Sequence, residues 1–236
     1  MPSNRVRSGN AADTENNVLQ NNVPAMPSAA ALSEKLAKYR VVPVISINNA
    51  AAALPLADAL LEGGLSIAEI TFRTDAAADV IRLLASKRPE LCVGAGTVLT
   101  ADNLAAAVDA GAEFGVAPGF NPQIVQLAAD KGLPFVPGTA TPTEIEAAAA
   151  ENCRILKFFP AGILGGAVAL KAISAPYLHT GIKFMPTGGI NESNFEKYLE
   201  LPNVAACGGT WIAPPNDIAE GNWKMITERC KRAACP

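Results

Sequence analysis

The chain has 236 residues, 50% of them hydrophobic and only 17% charged, with a formal net charge of −3. That length and composition suit one large α/β domain with a sizeable core, and wholesale disorder is excluded. There is no basic excess or Lys/Arg-rich run to hold nucleic acid, and no apolar run of about 18 residues to cross a membrane.

Residues 1–30 are rich in Asn, Ser, Ala and Pro, show no periodicity, and read as a disordered N-terminal extension. They lack the charged-then-apolar layout of a secretory signal, so the expected location is the cytoplasm. The cysteines Cys92, Cys153, Cys207, Cys230 and Cys235 form no C-x-x-C pair and read as reduced thiols. Residues 31–236 are expected to make up the one folded domain.

From Leu32 onward, short β-rich runs alternate with Ala-rich helical stretches. The pattern predicts strands over 41–47, 67–73, 92–98 and 114–119, then over 134–139, 155–161, 182–189 and 204–211. It predicts helices over 50–62, 75–88, 101–110, 121–131 and 141–151. Helix-entry signals stand at Thr74-Asp75, Thr100, Asn121-Pro122 and Thr141-Pro142. Gly111 and Gly132 supply C-terminal stops. Strands recur about every 20 to 27 residues, one βα unit each. Eight such units predict an α/β fold with a single (β/α)8 TIM barrel. An open doubly wound sheet is the alternative, but no G-x-G-x-x-G opens a helix after the first strand.

In such a barrel, function gathers at the carboxyl ends of the strands. That rule selects Glu69, Arg73, Thr97, Pro118, Lys157, Phe159, Thr187, Gly188, Gly189, Gly209 and Thr210. Lys157 sits in the apolar run Ile155-Leu156-Lys157-Phe158-Phe159-Pro160, where a lysine is rarely buried without a reason. Burial disfavours the ammonium form, and a neutral amine can attack a ketone to form an iminium. The structural alternative is a snorkelling lysine, as expected for Lys183 at the entry of its strand. Glu69, Thr71 and Arg73 alternate onto one strand face. Glu69 and Arg73 lie about 13 Å apart along the strand, too far for a direct ion pair. They are candidates for proton transfer and for two-pronged carboxylate recognition, or for a charge network sealing the interior. The pairs Gly188-Gly189 and Gly208-Gly209, with Thr187 and Thr210, end the last two strands, where barrel phosphate sites favour backbone N–H donors; plain turns are the alternative. The one histidine, His179, reads as a surface loop residue, so a His-based metal centre is out of reach and no metal is expected.

Five motifs in order carry a resemblance. Glu69-Ile70-Thr71-Phe72-Arg73-Thr74, Val93-Gly94-Ala95-Gly96-Thr97-Val98 and Lys157-Phe158-Phe159-Pro160-Ala161 are three of them. Pro186-Thr187-Gly188-Gly189-Ile190 and Gly208-Gly209-Thr210-Trp211 complete the set. From about residue 33 to about residue 230, the chain resembles the bacterial 2-keto-3-deoxy-6-phosphogluconate (KDPG) aldolases and the related 4-hydroxy-2-oxoglutarate (KHG) aldolases. The resemblance implies a class I aldolase that splits a phosphorylated keto acid into pyruvate and glyceraldehyde 3-phosphate, without a cofactor and as a homotrimer. It implies Lys157 as the Schiff-base lysine and Glu69 as acid and base acting through water. Arg73 and Thr97 would hold the pyruvate carboxylate, with Pro118 and Phe159 lining the pocket. Thr187 would meet the hydroxylated part of the substrate, and Gly188, Gly189, Gly209 and Thr210 the phosphate. Ala117, Gly162 and Thr210 depart from the commoner residues of that pattern, and Gly162 bears on substrate preference. A KHG or galactonate-epimer substrate, or a non-catalytic or isomerase-type phosphate-binding barrel, are the competing readings.

Overall fold

The computed structural model describes residues 27–234. Residues 1–26 of the expected extension, and Cys235, lie outside the described residues. Helix α1 (Pro27–Tyr39) begins inside the stretch read as an extension. Leu32 and Leu36, four residues apart and so on one helical face, are both buried.

Strands β1 (Val41–Ile45), β2 (Ile67–Thr71), β3 (Cys92–Gly96), β4 (Phe114–Val116) and β5 (Phe135–Val136) pair in sequence, all parallel. Strand β9 (Cys207–Gly209) adds to the free side of β1, giving the order β5-β4-β3-β2-β1-β9. A second parallel sheet has the order β6 (Gly138–Thr139), β7 (Ile155–Phe158), β8 (Lys183–Pro186). Isolated parallel bridges, Phe184 with Val204 and Thr187 with Gly208, tie β8 to the β9 segment. The expected strand over 134–139 is thus two pieces, β5 and β6, parted at Pro137. Proline has no N–H for the ladder, although the Pro137 carbonyl accepts from Lys157 N–H. The result is a curled parallel α/β sheet.

Helices α2 (Ala53–Glu62), α3 (Ala77–Lys87), α4 (Ala101–Asp109), α5 (Pro122–Asp130) and α6 (Pro142–Ala150) match the expected stretches within about three residues. Helices α7 (Gly166–Ser174), α8 (Phe195–Leu199), α9 (Pro215–Glu220) and α10 (Trp223–Ala234) follow and were not legible as such. Thr100 and Asn121 cap α4 and α5 by accepting from Asn103 N–H and Gln123 N–H. The expected cap at Thr74-Asp75 is not formed: α3 starts after Ala76, and the Thr74 hydroxyl instead donates to Ile47 O.

Thr141 and Glu144 form a full capping box on α6. Backbone N–H donation from Ala140, then the Thr141 contacts, holds the Glu144 carboxyl below the usual carboxylate range. A lowered native value stabilises the fold above the ordinary carboxylate range, and that stabilisation is lost as pH falls through the native value. Thr141→Ala is expected to cost about 1 kcal/mol in denaturant unfolding at neutral pH. The deficit should shrink in acid, once Glu144 is protonated.

The core has two parts. Between sheet and helices pack Ile45, Ile70, Ala95, Leu156 and Phe158 against residues such as Leu60, Ile81 and Leu104. Inside the curl, Val42, Ile67, Cys92, Phe114, Ile155 and Met185 form a second cluster that Leu32 and Leu36 join. Most of these are first or second residues of their strands, so the interior is filled with apolar side chains at the amino ends and α1 seals that side. Burial pushes the thiols of Cys92, Cys153, Cys207 and Cys230 up to about 12. All four are free cysteines. Among the described residues, no helix is long and apolar enough to cross a membrane.

Candidate active site

Above that apolar plug, polar side chains enter the interior. Glu69, in the middle of β2, and Lys157, third residue of β7, are 0% and 3% exposed. Lys157 Nζ lies 3.4 Å from Glu69 Oε1, and it stands 5.3 Å from the centre of the Phe159 ring. Glu69 Oε2 is buried with no hydrogen-bond partner among the described residues. A buried charged pair is costly unless its remaining lone pairs find partners. This one keeps a carboxylate oxygen unclaimed beside an amine. Lys183 behaves differently: its Nζ reaches the Pro202 carbonyl at 3.0 Å at an exposed edge, as the snorkelling reading expects.

Glu69 can cross the interior because both β3 residues beside it are glycines: Gly94, its register partner, and Gly96, the diagonal neighbour that pairs with Thr71. A Cβ at Gly96 would stand 2.2 Å from Glu69 Oε1 and 2.6 Å from its Cγ. Gly96→Ala is therefore expected to displace the carboxylate from Lys157. It should cost about 2 kcal/mol of stability, read by denaturant unfolding, and lower turnover beyond that loss. Gly208 serves Thr187 in the same way, with a Cβ there falling 2.3 Å from Thr187 Oγ1. Sequence reasoning passed over Gly96 and Gly208 as supports; the available signal was a glycine inside a strand run, which often marks close approach.

Several strands end earlier than expected. β2 stops at Thr71, β4 at Val116 and β7 at Phe158, so Arg73, Pro118 and Phe159 stand in the turns beyond them. The one-face alternation consequently reaches Glu69 and Thr71 but not Arg73; Thr71 is buried and donates to Ile45 O. Arg73 is nonetheless tied to the rim: its Nε donates to Thr97 Oγ1 at 3.3 Å. Thr97 follows Gly96 directly and holds φ 57°, a left-handed conformation uncommon for a β-branched residue and the kind of outlier that clusters at functional sites. Pro118 borders β6, where a Cβ on Gly138 would fall 2.1 Å from its carbonyl oxygen, and Gly138 pairs with Lys157.

The Phe159 ring also touches the next turn, lying 3.1 Å from where a Cβ on Gly188 would be. Gly188 and Gly189 have φ 90° and 76°, accessible chiefly to glycine. Thr187, 4% exposed, bridges to Gly208 and donates to Met185 O. Gly209 is buried against the Trp211 ring, and Thr210 is exposed at the rim. Ten of the eleven sequence-selected residues thus stand near or just beyond the carboxyl ends of their strands, and Glu69, in the middle of β2, reaches Lys157 with its side chain. His179 sits exposed in the 3-10 segment Ala175–Thr180, away from them.

A curled parallel sheet that carries a buried lysine–glutamate pair and glycine turns at its carboxyl edge has the layout of a parallel α/β enzyme. Comparison with known proteins makes this specific. The profile of the KDPG and KHG aldolase family matches residues 32–229. A 2-dehydro-3-deoxy-phosphogluconate aldolase of Haemophilus influenzae is 48% identical over 193 residues, 82% of this chain and 90% of that protein. The KDPG aldolase of Legionella pneumophila, solved with pyruvate captured as a covalent carbinolamine intermediate, superposes with a TM-score of 0.80. It is 41% identical, over 84% of this chain and 96% of that one. The KDPG aldolase of Zymomonas mobilis with 3-phosphoglycerate also gives a TM-score of 0.80, at 35% identity, over 89% and 97% of the two chains. The chain belongs to the KDPG and KHG aldolase family. It is an aldolase, a carbon–carbon lyase.

Proposed function

We propose that the protein is a class I aldolase that reversibly cleaves 2-dehydro-3-deoxy-6-phosphogluconate to pyruvate and D-glyceraldehyde 3-phosphate. The observation that carries this reading is the enclosed Lys157–Glu69 pair, with one glutamate oxygen left unclaimed. In this mechanism Lys157 passes a proton to Glu69, its amine attacks the substrate C2 carbonyl, and the carbinolamine loses water to give an iminium. Glu69, directly or through a water, moves the protons of these steps. It then takes the proton of the C4 hydroxyl as the C3–C4 bond breaks. The electron pair of that bond flows into the iminium, leaving an enamine and releasing the aldehyde. Protonation at C3 and hydrolysis of the new iminium free pyruvate and restore Lys157.

Arg73 and Thr97 take the carboxylate, the guanidinium supplying the paired donors that a net charge of −3 does not. Pro118 and Phe159 line the pocket. Thr187 meets the hydroxylated carbons, and the backbone of Gly188, Gly189 and Gly209 with Thr210 takes the phosphate, as barrel phosphate sites do. The 3-phosphoglycerate held by the Zymomonas mobilis relative supports a phosphorylated ligand. With β5 and β6 counted as halves of one strand, the ring numbers eight, and we read it as a closed (β/α)8 barrel. The family resemblance further supports a homotrimer acting in the cytoplasm.

Specificity is tested by kcat/KM on 2-dehydro-3-deoxy-6-phosphogluconate, its galactonate epimer and 4-hydroxy-2-oxoglutarate. The first is expected to lead the unphosphorylated acid by at least about tenfold, since a site built for phosphate is left with unpaired donors by a substrate without one. Preference for 4-hydroxy-2-oxoglutarate would overturn the phosphate assignment. Absence of turnover on all three would instead favour a non-catalytic or isomerase-type barrel.

A further inference from the structure

Between the start of α7 and helix α8 lies a cavity of about 530 Å³ that shares only the backbone of Gly189 with the site described above. Gly162, Ile163, Gly165 and Gly166 form one side, and Asn194, Lys197 and Tyr198 the other. Helix α7 opens into it without a side-chain cap, with Gly165 in the cap position at φ 101°. Gly166 N–H is satisfied by Ala161 O, but the N–H groups of Ala167 and Val168 have no acceptor among the described residues. Free N–H groups at the start of a nine-residue helix carry partial positive charge and favour an anion.

Tyr198 supplies an independent pointer. The residue is 3% exposed. Its hydroxyl has no hydrogen-bond partner among the described residues, and it stands 3.5 Å from where a Cβ on Gly166 would be. Burial pushes the phenol up, with the neighbouring Cys207 adding to the shift, so it remains a neutral donor. The ring is buried while the unpaired hydroxyl opens onto the cavity beside the helix start, which places a hydrogen-bond donor there for an acceptor. Lys197 is, among the described residues, the one charged side chain lining the cavity, and its charge complements an anion at the helix end. Gly162 keeps the wall bare, since a Cβ there would already be 3.2 Å from Gly189 Cα.

We propose that this cavity is a second anion site, distinct from the reaction centre, that takes a small phosphate ester with its phosphoryl group on Ala167 N–H, Val168 N–H, Tyr198 and Lys197. Apart from the backbone of Gly189, none of its residues is assigned to the reaction, so the site stands or falls separately from the aldolase reading.

The test uses the full chain and inorganic phosphate as probe, by crystal soaking and by calorimetric titration of the wild type, Lys197→Ala and Tyr198→Phe. Phosphate density within hydrogen-bond reach of Ala167 N and Tyr198 Oη is expected. Two classes of site per chain are also expected in the titration, one of them weakened by about tenfold in each variant, with the other class and kcat/KM unchanged. Phosphate found only beside Thr187 and Thr210, or a titration that neither substitution alters, overturns the proposal. Binding at the α7 start but not beside Thr210 would leave this site standing and remove the phosphate end of the aldolase reading.

Discussion

Lys157→Met is expected to abolish aldol cleavage, lowering kcat by at least about 10⁴-fold, because among the described residues no other amine stands enclosed beside a carboxylate that can form and break the iminium. The substitution also strips Glu69 of its partner, and breaking a buried pair costs about 3–5 kcal/mol. A domain whose whole stability is about 5–15 kcal/mol will register that, so lost activity must be separated from lost fold. Two companions do so. Lys157→Arg keeps a cation beside Glu69 but has no nucleophilic amine, and it should be folded and inactive. The double variant Lys157→Met with Glu69→Gln removes both charges and should regain stability without regaining activity. Circular dichroism and denaturant midpoints, read beside cleavage rates, check all three. Activity above about 1% of wild type in Lys157→Arg would count heavily against a covalent role for Lys157.

Glu69→Gln is expected to separate binding from proton transfer. The amide keeps the size of the side chain and the room that Gly96 provides, but it cannot take or return a proton. General acid–base contributions of this kind are worth about 10²–10⁴-fold, so kcat should fall by that factor while KM stays within a few-fold. Pyruvate should still add to Lys157, more slowly. A kcat within a few-fold of wild type would assign the proton transfers elsewhere. A rise in KM alone would mark Glu69 as a binding group.

The contrast between Lys157 and Lys183 explains why the centre was readable from the chain alone. Both lysines interrupt apolar runs, and what separated them was position: Lys183 begins its strand and escapes to Pro202 O, whereas Lys157 lies further along and stays inside. Glu69 was legible for the same reason, as a charge that burial must justify. Element edges were less legible. Arg73, Pro118 and Phe159 follow apolar or β-prone residues without a break in pattern, and only the loss of ladder hydrogen bonds marks where the strands stop. Pro137 did signal its interruption, since a proline cannot donate to a ladder, yet the residues on both sides still read as strand.

The helices beyond α6 were hidden by short length and by glycine-rich entries, as at Gly165 and Gly166 before α7. Helix α1 was hidden because few apolar residues carry its face. Side-chain reach across strands was not legible either. That Gly96 makes room for Glu69, or Gly208 for Thr187, depends on register, which one strand's sequence does not state.

The enclosed amine beside Glu69 is tested most directly by borohydride reduction of the native protein in the presence of pyruvate, followed by proteolysis and mass spectrometry. One reduced pyruvate adduct per chain, on the peptide that contains Lys157 and on that residue alone, is the result this account predicts. An unmodified protein, or an adduct on Lys183 or another exposed lysine with Lys157 left free, would contradict it.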